Sequence, residues 1–384
     1  VAPIMVGIGF PALEAVVMLS LGLAWAISFG SLGASFEALT ATTGLGGAEI
    51  APAMAAVLGL VCFLIGFLIL WIAGGKETLR EGVWPMLTMA ATMSVVQCLA
   101  VYAGLYNIAA MLGALAGLVV GVAWALWKKN GRAQSSSTFP WAKNLASLIP
   151  YLLLLVIIFT VSFIPALSAL LERLTLQIPI PAMTLANGHS IAAGKTKALA
   201  PFGHPGALLF YTGFLTLALS KVQGTLPPGS GKKIRTGMLR SGVQSTLGIL
   251  TMVAMATTME NAGMVTVLSH AMADTAGALF PFIAPFIGAL GAFMTGSNTN
   301  SNVIFGAFQQ QVAQTLGYAV PVILAIHNAG AAVGSVFAPA KIIVGCSTVG
   351  MSNREGEVLR STTKYSLIIL VILAILALII TQLP

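Results

Sequence analysis

The stretch Thr295-Gly296-Ser297-Asn298-Thr299-Asn300-Ser301-Asn302 places eight polar or small residues in a row between two apolar segments. Unpaired polar groups are expensive at membrane depth, so such a run is tolerated there only when it faces water, a ligand or its own polar groups. The surrounding segment 279–317 is apolar at both ends, and this pattern predicts a re-entrant helical hairpin whose tip lines a cavity. The alternative is a solvated loop between two spans, but the run lacks the Lys, Arg, Asp, Glu and Pro residues that ordinary loops use.

The composition of the whole chain indicates a membrane protein. Of its 384 residues, 58% are hydrophobic and only 7% are charged, and the mean hydropathy is +0.96. A soluble domain has about a quarter of its residues charged, whereas apolar runs of about 18 or more residues are typical of membrane-spanning helices. We therefore predict an all-α polytopic membrane protein.

The apolar segments predict about nine spans, with the hairpin between the seventh and the eighth. The predicted spans are 10–30, 51–73, 83–104, 108–127, 145–167, 205–220, 241–260, 320–349 and 362–383. The loops 74–82, 128–144, 220–241 and 351–364 hold 14 of the 18 basic residues. Because positively charged loops stay inside, we predict that these four loops are cytoplasmic and that the protein crosses the membrane several times. This placement also accounts for the net charge of +8 without a nucleic-acid partner.

Two segments of the chain look like copies of each other. Each begins with a glycine followed by an aromatic residue and an early proline, at 9–11 and 317–321, and each runs through an apolar helix to a small-residue break, at 28–33 and 330–335. In the predicted topology the copies run in opposite directions, which is the inverted repeat common in secondary transporters. The second copy follows a hairpin and the chain begins with Val1, so we expect the natural protein to have a further N-terminal part with the first hairpin.

This symmetry predicts three parts. They are the remainder of the N-terminal repeat with the spans that follow it (1–127), a cytoplasmic linker (128–144), and a C-terminal repeat with the hairpin 279–317 and a broken helix at 320–349 (145–384).

The polar run supplies the first candidate substrate-binding residues. Its hydroxyls and amides, with the free N–H groups of a helix beginning near Asn302, would form a cradle for a carboxylate. A second stretch, 326–341, has small residues that allow either close helix packing or an unwound binding segment. The candidate substrate-binding residues are Ser297, Asn298, Thr299, Asn300, Ser301, Asn302, Asn328, Gly334 and Ser335.

Three ionisable residues are candidates for ion coupling or for a counter-charge to an anion. Lys341 would serve as a counter-charge, and the alternative is that its side chain extends to the membrane interface. His327 as a proton carrier competes with a buried imidazole that is merely hydrogen-bonded. Glu260 lies near the end of a predicted span, where an acid is a functional candidate by default; the alternative is a position at the membrane surface.

The chain contains no convincing catalytic constellation. His270 and Asp274 stand four residues apart, but without further candidates beside them. Cys62, Cys98 and Cys346 have neither metal-ligand nor redox spacing. We therefore expect a protein that is not an enzyme and that holds no cofactor and no metal.

Several segments resemble the bacterial L-lactate permease family. The resemblance rests on residues 296–309 in the hairpin, 334–346 after it, 354–360 before the last span, and 9–13 near the start. It implies two inverted repeats with paired hairpins. It also implies a secondary active transporter of the bacterial inner membrane, a symporter that takes up lactate, glycolate or a related 2-hydroxy monocarboxylate together with protons.

Three features depart from the family pattern. Members of the family carry Asn-Thr where this chain has Leu23-Ala24, and their first hairpin is not in this chain. They also carry an aspartate where this chain has Asn298, which implies a coupling group elsewhere, and we hypothesise that Glu260 takes that role. The alternatives left open are another anion, and sodium coupling or antiport within the same superfamily. The expected partners are a small organic anion, a proton or sodium ion and the lipid bilayer, and a homo-oligomer is compatible with the sequence.

Overall fold

A computed structural model describes residues 1–129, 141–177, 179–184, 190–191, 194–195, 200–351 and 353–382. The chain divides into two compact units. The first comprises 1–130 and 252–384, and the second comprises 131–251.

The described residues are almost entirely helical, which confirms the predicted all-α class. The helices are α1 (Ala2–Gly7), α2 (Ala12–Leu23), α3 (Ala34–Thr43), α4 (Gly47–Tyr102), α5 (Ala109–Lys129), α6 (Trp141–Phe163), α7 (Pro165–Leu171), α8 (Pro205–Val222), α9 (Ser230–Asn261), α10 (Met264–Ala276), α11 (Phe280–Thr295), α12 (Asn298–Leu316), α13 (Val320–Val336), α14 (Pro339–Thr348) and α15 (Glu355–Gln382). Short 3₁₀ turns lie at Ser31–Gly33, Tyr106–Ile108 and Gly277–Leu279.

The exceptions are four two-residue strands in the second unit. They are β1 (Pro179–Ile180), β2 (Met183–Thr184), β3 (Ser190–Ile191) and β4 (Gly194–Lys195). β1 pairs with β4 and β2 pairs with β3, both antiparallel. They lie between the predicted spans 145–167 and 205–220. Residues 130–140 of the predicted linker lie outside the described residues.

Four helical segments of the described residues are long and apolar enough to cross a membrane. They are Gly47–Tyr102, Tyr106–Lys128, Met264–Thr295 and Glu355–Gln382. Two bent pairs, at 152–171 and 320–348, raise the number to six if each is one span. The structure thus supports a multi-pass membrane protein, but not the count of nine spans.

The helix α4 is two antiparallel arms rather than one rod. It breaks at Gly74 and Gly75, where Gly75 has a φ of 63°, a left-handed conformation that favours glycine. The Ser94 hydroxyl donates to the carbonyl oxygen of Gly59 over 3.4 Å, which places residues 47–73 and 76–102 side by side. The predicted loop 74–82 is therefore too long, since only Gly74 and Gly75 leave the helical conformation. The chain is helical again from residue 76, because residues 76–81 are mostly good helix formers.

Glycines allow α11 and α13 to pack closely in the first unit. A Cβ at Gly330 would clash with the backbone of Pro285, and one at Gly334 would clash with the backbone of Ala289. The helix α13 therefore continues through 330–335 and ends at Val336, and a 45° bend to α14 follows. The predicted break at 330–335 lies a few residues too early. The small residues there pack against α11, and the helix breaks only before Pro339, which cannot continue its hydrogen bonds.

The predicted span 10–30 is interrupted. The helix α2 ends at Leu23, and the chain then passes through turns and the 3₁₀ turn before α3 begins. Ser31, Leu32 and Gly33 all have positive φ values, of 48°, 55° and 74°. Ser28 therefore lies on irregular backbone, and Ser35 lies in the first turn of α3. Both side chains are buried.

Candidate functional site

The polar run forms a tight turn followed at once by a helix. Thr295 ends α11, Gly296 takes a left-handed conformation with φ 73°, and α12 begins at Asn298. The Ser297 hydroxyl caps α12 by accepting from the backbone N–H of Asn300 over 3.4 Å. The helix thus begins one turn earlier than the predicted start near Asn302, because Ser297 is a good N-cap residue. The asparagines of the run lie on the first turns of α12.

Two of these asparagines belong to a buried cluster of side chains, which we call the amide cluster: Ser28, Ser35, Asn298, Asn302 and Asn328. The Asn298 amide donates to Ser28 Oγ over 3.3 Å and to Asn328 Oδ1 over 3.2 Å. The Asn302 amide donates over 3.0 Å to Asn328 Oδ1 and to the hydroxyl and carbonyl oxygens of Ser35. The Asn328 amide donates to Ser28 Oγ over 2.6 Å. The cluster therefore joins α12 and α13 to the break after α2.

The amide cluster retains unused acceptors. Within the described part of the chain, neither Asn298 Oδ1 nor Asn302 Oδ1 has a hydrogen-bond partner, although both atoms are buried. A buried polar atom left unpaired costs about 1–3 kcal/mol. These two oxygens are therefore suited to accept a hydrogen bond from a bound hydroxyl, or to contact a cation.

A cationic group lies near the hairpin turn. Lys341 is partly buried, and its ammonium donates to Ser335 Oγ over 3.1 Å. A Cβ at Gly296 would lie 3.8 Å from Ala340, so the turn faces the first residues of α14. The N-termini of α12 and α14 and the Lys341 side chain thus meet in one region, where each favours negative charge.

Comparison with known proteins shows the family to which the chain belongs. The sequence profile described as L-lactate permease matches residues 1–384. The chain belongs to the L-lactate permease family. It is 25% identical to the L-lactate permease of Bacillus subtilis (strain 168), with 98% of this chain and 72% of the relative covered. It is also 25% identical to the L-lactate permease of Escherichia coli (strain K12), with the same coverage.

A shorter match links the chain to the glycolate permease GlcA of Escherichia coli (strain K12). The two are 40% identical over 116 residues, which cover 30% of this chain and 20% of that relative. No solved structure matches the chain. The named relatives are permeases, so this member of the family is a transporter and not an enzyme.

The structure divides the predicted site residues of this L-lactate permease family member into three groups. Asn298, Asn302 and Asn328 meet in the amide cluster, and Ser335 pairs with Lys341. Ser297, Thr299 and Asn300 are partly exposed at the turn. Ser301 and Gly334 face α11: the Ser301 hydroxyl donates to the carbonyl oxygen of Gly288 over 2.8 Å, and Gly334 packs against the helix backbone.

The structure describes the side chains of two of the three coupling candidates. His327 is completely buried, and neither of its ring nitrogens makes a well-formed hydrogen bond in the described protein. Lys341 lies near the hairpin turn, as described above. Glu260 is on α9, but its side chain lies outside the part of the chain that the structure describes. Among the described residues, no group of three His, Cys, Asp or Glu side chains could hold a metal ion.

Sequence reasoning missed three polar side chains that the structure places in or beside the cluster. Ser28 belongs to the small-residue break noted in the sequence, and that break was the available signal. Ser35 carries no separate signal, because an isolated serine in an apolar chain is common. Gln309 lies two turns after Asn302 on α12, and its amide donates to the carbonyl oxygen of Ala284 over 3.2 Å. It ties the two limbs of the hairpin together.

Proposed function

We propose that this member of the L-lactate permease family is a secondary active transporter of a small 2-hydroxy monocarboxylate such as lactate or glycolate. The observation that carries the proposal is the amide cluster with its two unpaired acceptor oxygens, close in sequence to a turn flanked by a lysine. The names of the relatives, lactate and glycolate permeases, support the same substrate class.

The carboxylate of the substrate would bind at the hairpin turn. The first N–H groups of α12 and α14 have no partner within their own helices, and a helix N-terminus attracts an anion. Lys341 adds a full positive charge that neutralises the carboxylate in a region of low polarity. Thr299 and Asn300, partly exposed beside the turn, add hydroxyl and amide groups.

The 2-hydroxyl group would bind at the amide cluster. A hydroxyl donates one hydrogen bond, and Asn298 Oδ1 and Asn302 Oδ1 are acceptors without a partner among the described residues. A monocarboxylate without the hydroxyl leaves these acceptors unpaired, and a site built for a hydroxyl rejects such an analogue strongly. This contact would therefore discriminate lactate from an unsubstituted acid such as acetate.

The cluster supports alternating access between two inverted repeats. Ser28 and Ser35 come from the proposed N-terminal repeat, whereas Asn298, Asn302 and Asn328 come from the C-terminal one. Binding sites in such transporters lie at the interface of the repeats, formed by broken helices. The interrupted α2 and the bent pair α13 and α14 are the broken helices in this proposal.

Protons are the proposed coupling ion. A charged imidazole at His327 would be costly in its buried position unless a negative charge came with it. Binding of a proton and binding of a carboxylate would then favour each other, which is the requirement for symport. Lys341 and Glu260 remain the other candidate coupling residues.

The test is uptake of labelled lactate into proteoliposomes, with and without an inward proton gradient. We expect gradient-stimulated uptake that excess glycolate inhibits and that acetate and citrate leave unchanged. A sodium gradient applied alone distinguishes sodium coupling, and uptake independent of both gradients would indicate a channel. Absence of lactate and glycolate uptake under every gradient would refute the proposed substrate.

A further inference from the structure

The α4 hairpin and α5 line three neighbouring cavities in the first unit, each of which is largely open to the surroundings. The first, of about 350 Å³, lies between α2 and the two arms of α4. The second and third, of about 510 and 440 Å³, lie between the second arm of α4 and α5. Each volume falls in the range of about 300–1,000 Å³ that is usual for ligand pockets.

The three cavities form one row. Gly82 and Pro85 line both the first and the second cavity, and Trp124 lines both the second and the third. The second arm of α4 stands between the first cavity and the other two, so a single ligand with three parts would contact all of them by crossing this arm at Gly82 and Pro85.

The row has a polar chamber between two apolar ones. Glu77, Glu81 and Lys128 line the second cavity, and all three residues are exposed. Glu77 and Glu81 are four residues apart, so they lie on the same face of α4. Within the described part of the chain, none of the three makes an ion pair or a side-chain hydrogen bond. The first cavity, by contrast, is lined by apolar and sulfur-containing side chains, among them Cys62, Ile65, Ile69, Met86, Met89 and Met93.

Tryptophans mark this end of the helices as the level of the lipid headgroups. Trp124 and Trp127 pack edge to face, with ring centroids 5.5 Å apart. Trp84 and Trp127 are 68% and 72% exposed, and Trp71 is 45% exposed. Such aromatic belts lie at the membrane–water interface. The basic loops at this end are the ones that the charge pattern assigns to the cytoplasm.

We propose that this row of cavities binds one phospholipid of the cytoplasmic leaflet whose headgroup carries a primary ammonium, as phosphatidylethanolamine does. The ammonium would donate to Glu77 and Glu81, and Lys128 would donate to the phosphate. The two acyl chains would fill the apolar cavities on either side. From Gly82 to Met93 the first cavity extends about 16 Å along α4, about half of the 30 Å hydrocarbon thickness and thus the depth of one leaflet.

The charge of the chamber selects this headgroup over the alternatives. Two carboxylates and one ammonium give the lining a net negative charge, which disfavours an anionic lipid. A choline headgroup has no N–H donors, so the carboxylates would lose their hydrogen bonds. Lys76 and Arg80, which would attract an anionic lipid, are on the same helix but do not line the chamber.

The test is retention of defined lipids by the full chain in detergent, counted by native mass spectrometry. Phosphatidylethanolamine, phosphatidylglycerol and phosphatidylcholine with identical acyl chains are supplied at equal concentration. We expect one phosphatidylethanolamine per chain, retained in preference to the other two. Lys128→Gln, and the double variant Glu77→Gln with Glu81→Gln, should each weaken its retention about tenfold, the loss expected for a charge-assisted hydrogen bond.

Matched controls separate the site from general surface charge. Lys221→Gln and Glu172→Gln change exposed charges in the second unit and should leave retention unchanged. Equal or better retention of phosphatidylglycerol overturns the proposal, as does unchanged retention by the charge variants of the chamber.

A cavity-filling variant tests the placement of the acyl chain. A Cβ at Gly22 would meet only Ile69 Cδ1, at 3.7 Å, so the side chain of Gly22→Leu can extend into the first cavity without a backbone clash. We expect weaker retention of long-chain phosphatidylethanolamine, unchanged retention of a short-chain form, and an unchanged elution volume in size-exclusion chromatography. Undiminished retention of the long-chain lipid would overturn the placement of a chain in this cavity.

Discussion

Replacement of Ser28 by alanine tests whether the amide cluster joins distant parts of the first unit. The Ser28 hydroxyl oxygen accepts from Asn298 over 3.3 Å and from Asn328 over 2.6 Å. In Ser28→Ala, the Asn298 amide keeps its bond to Asn328 Oδ1, but the Asn328 amide loses its hydrogen-bond partner within the described structure. The variant therefore creates one unpaired buried donor and weakens a second donor.

The expected loss of stability follows from these contacts. An unpaired buried donor costs about 1–3 kcal/mol, and the lost bond to Asn298 contributes about 0.5–1.5 kcal/mol. We expect Ser28→Ala to lower the free energy of unfolding by about 2–3 kcal/mol in total. In the background of Asn328→Ala the Asn328 amide is gone, but the Asn298 amide then has Ser28 Oγ as its one remaining partner within the described structure. The same change should therefore cost about 1–3 kcal/mol there, and the coupling should be about 0.5–1.5 kcal/mol.

The assay is chemical unfolding in detergent micelles, followed by tryptophan fluorescence, for the two single variants and the double variant. Ser347→Ala is the control, since its hydroxyl is exposed and donates only within α14, to the carbonyl oxygen of Val344. Its change in unfolding free energy should lie within about 0.5 kcal/mol of zero. A coupling energy near zero, with Ser28→Ala as mild as the control, would refute the role of Ser28.

Three further changes test other parts of the site. Asn302→Asp replaces an amide that faces three acceptor oxygens, so it should destabilise the protein more than Asn302→Ala does; unfolding in detergent measures both, and the opposite order would contradict the hydrogen-bond assignment. Gly334→Ala should cost about 1–3 kcal/mol because its Cβ meets the backbone of α11, whereas Gly356→Ala, with open space around it, should be nearly neutral. Lys341→Gln should weaken lactate binding about tenfold, measured by calorimetry, while Lys364→Gln should not; equal affinities would remove Lys341 from the carboxylate site.

The polar run predicts the hairpin turn well because its signal is local. Ser297 is a strong N-cap residue and Gly296 supplies a left-handed conformation, and both properties depend only on near neighbours in the chain. Structure and sequence therefore agree closely on the helix–turn–helix at 279–317. The predicted start of α12 near Asn302 is one turn late, because asparagine is a weak helix former whereas the Ser297 cap starts the helix at Asn298.

The partners of the run were beyond the reach of the sequence. Ser28 and Ser35 lie 270 and 267 residues from Asn298 and Asn302. A contact over such a separation depends on the packing of whole helices, and single-sequence periodicity contains no information on it. Gly334 illustrates the converse: the sequence left helix packing and ligand binding open, and only the backbone of Ala289 on α11 shows that the glycine packs.

The absence of an acidic residue from the amide cluster bears on its function. A buried carboxylate would need a cation or proton at all times, whereas amides and hydroxyls remain neutral in every state of the cycle. Because the net contribution of a neutral hydrogen bond is only about 0.5–1.5 kcal/mol, the bonds between the proposed repeats can break and re-form as the barrier moves. An uncharged cluster is therefore compatible with two conformations of similar energy, and a bound anion with its coupling ion would supply the bias between them.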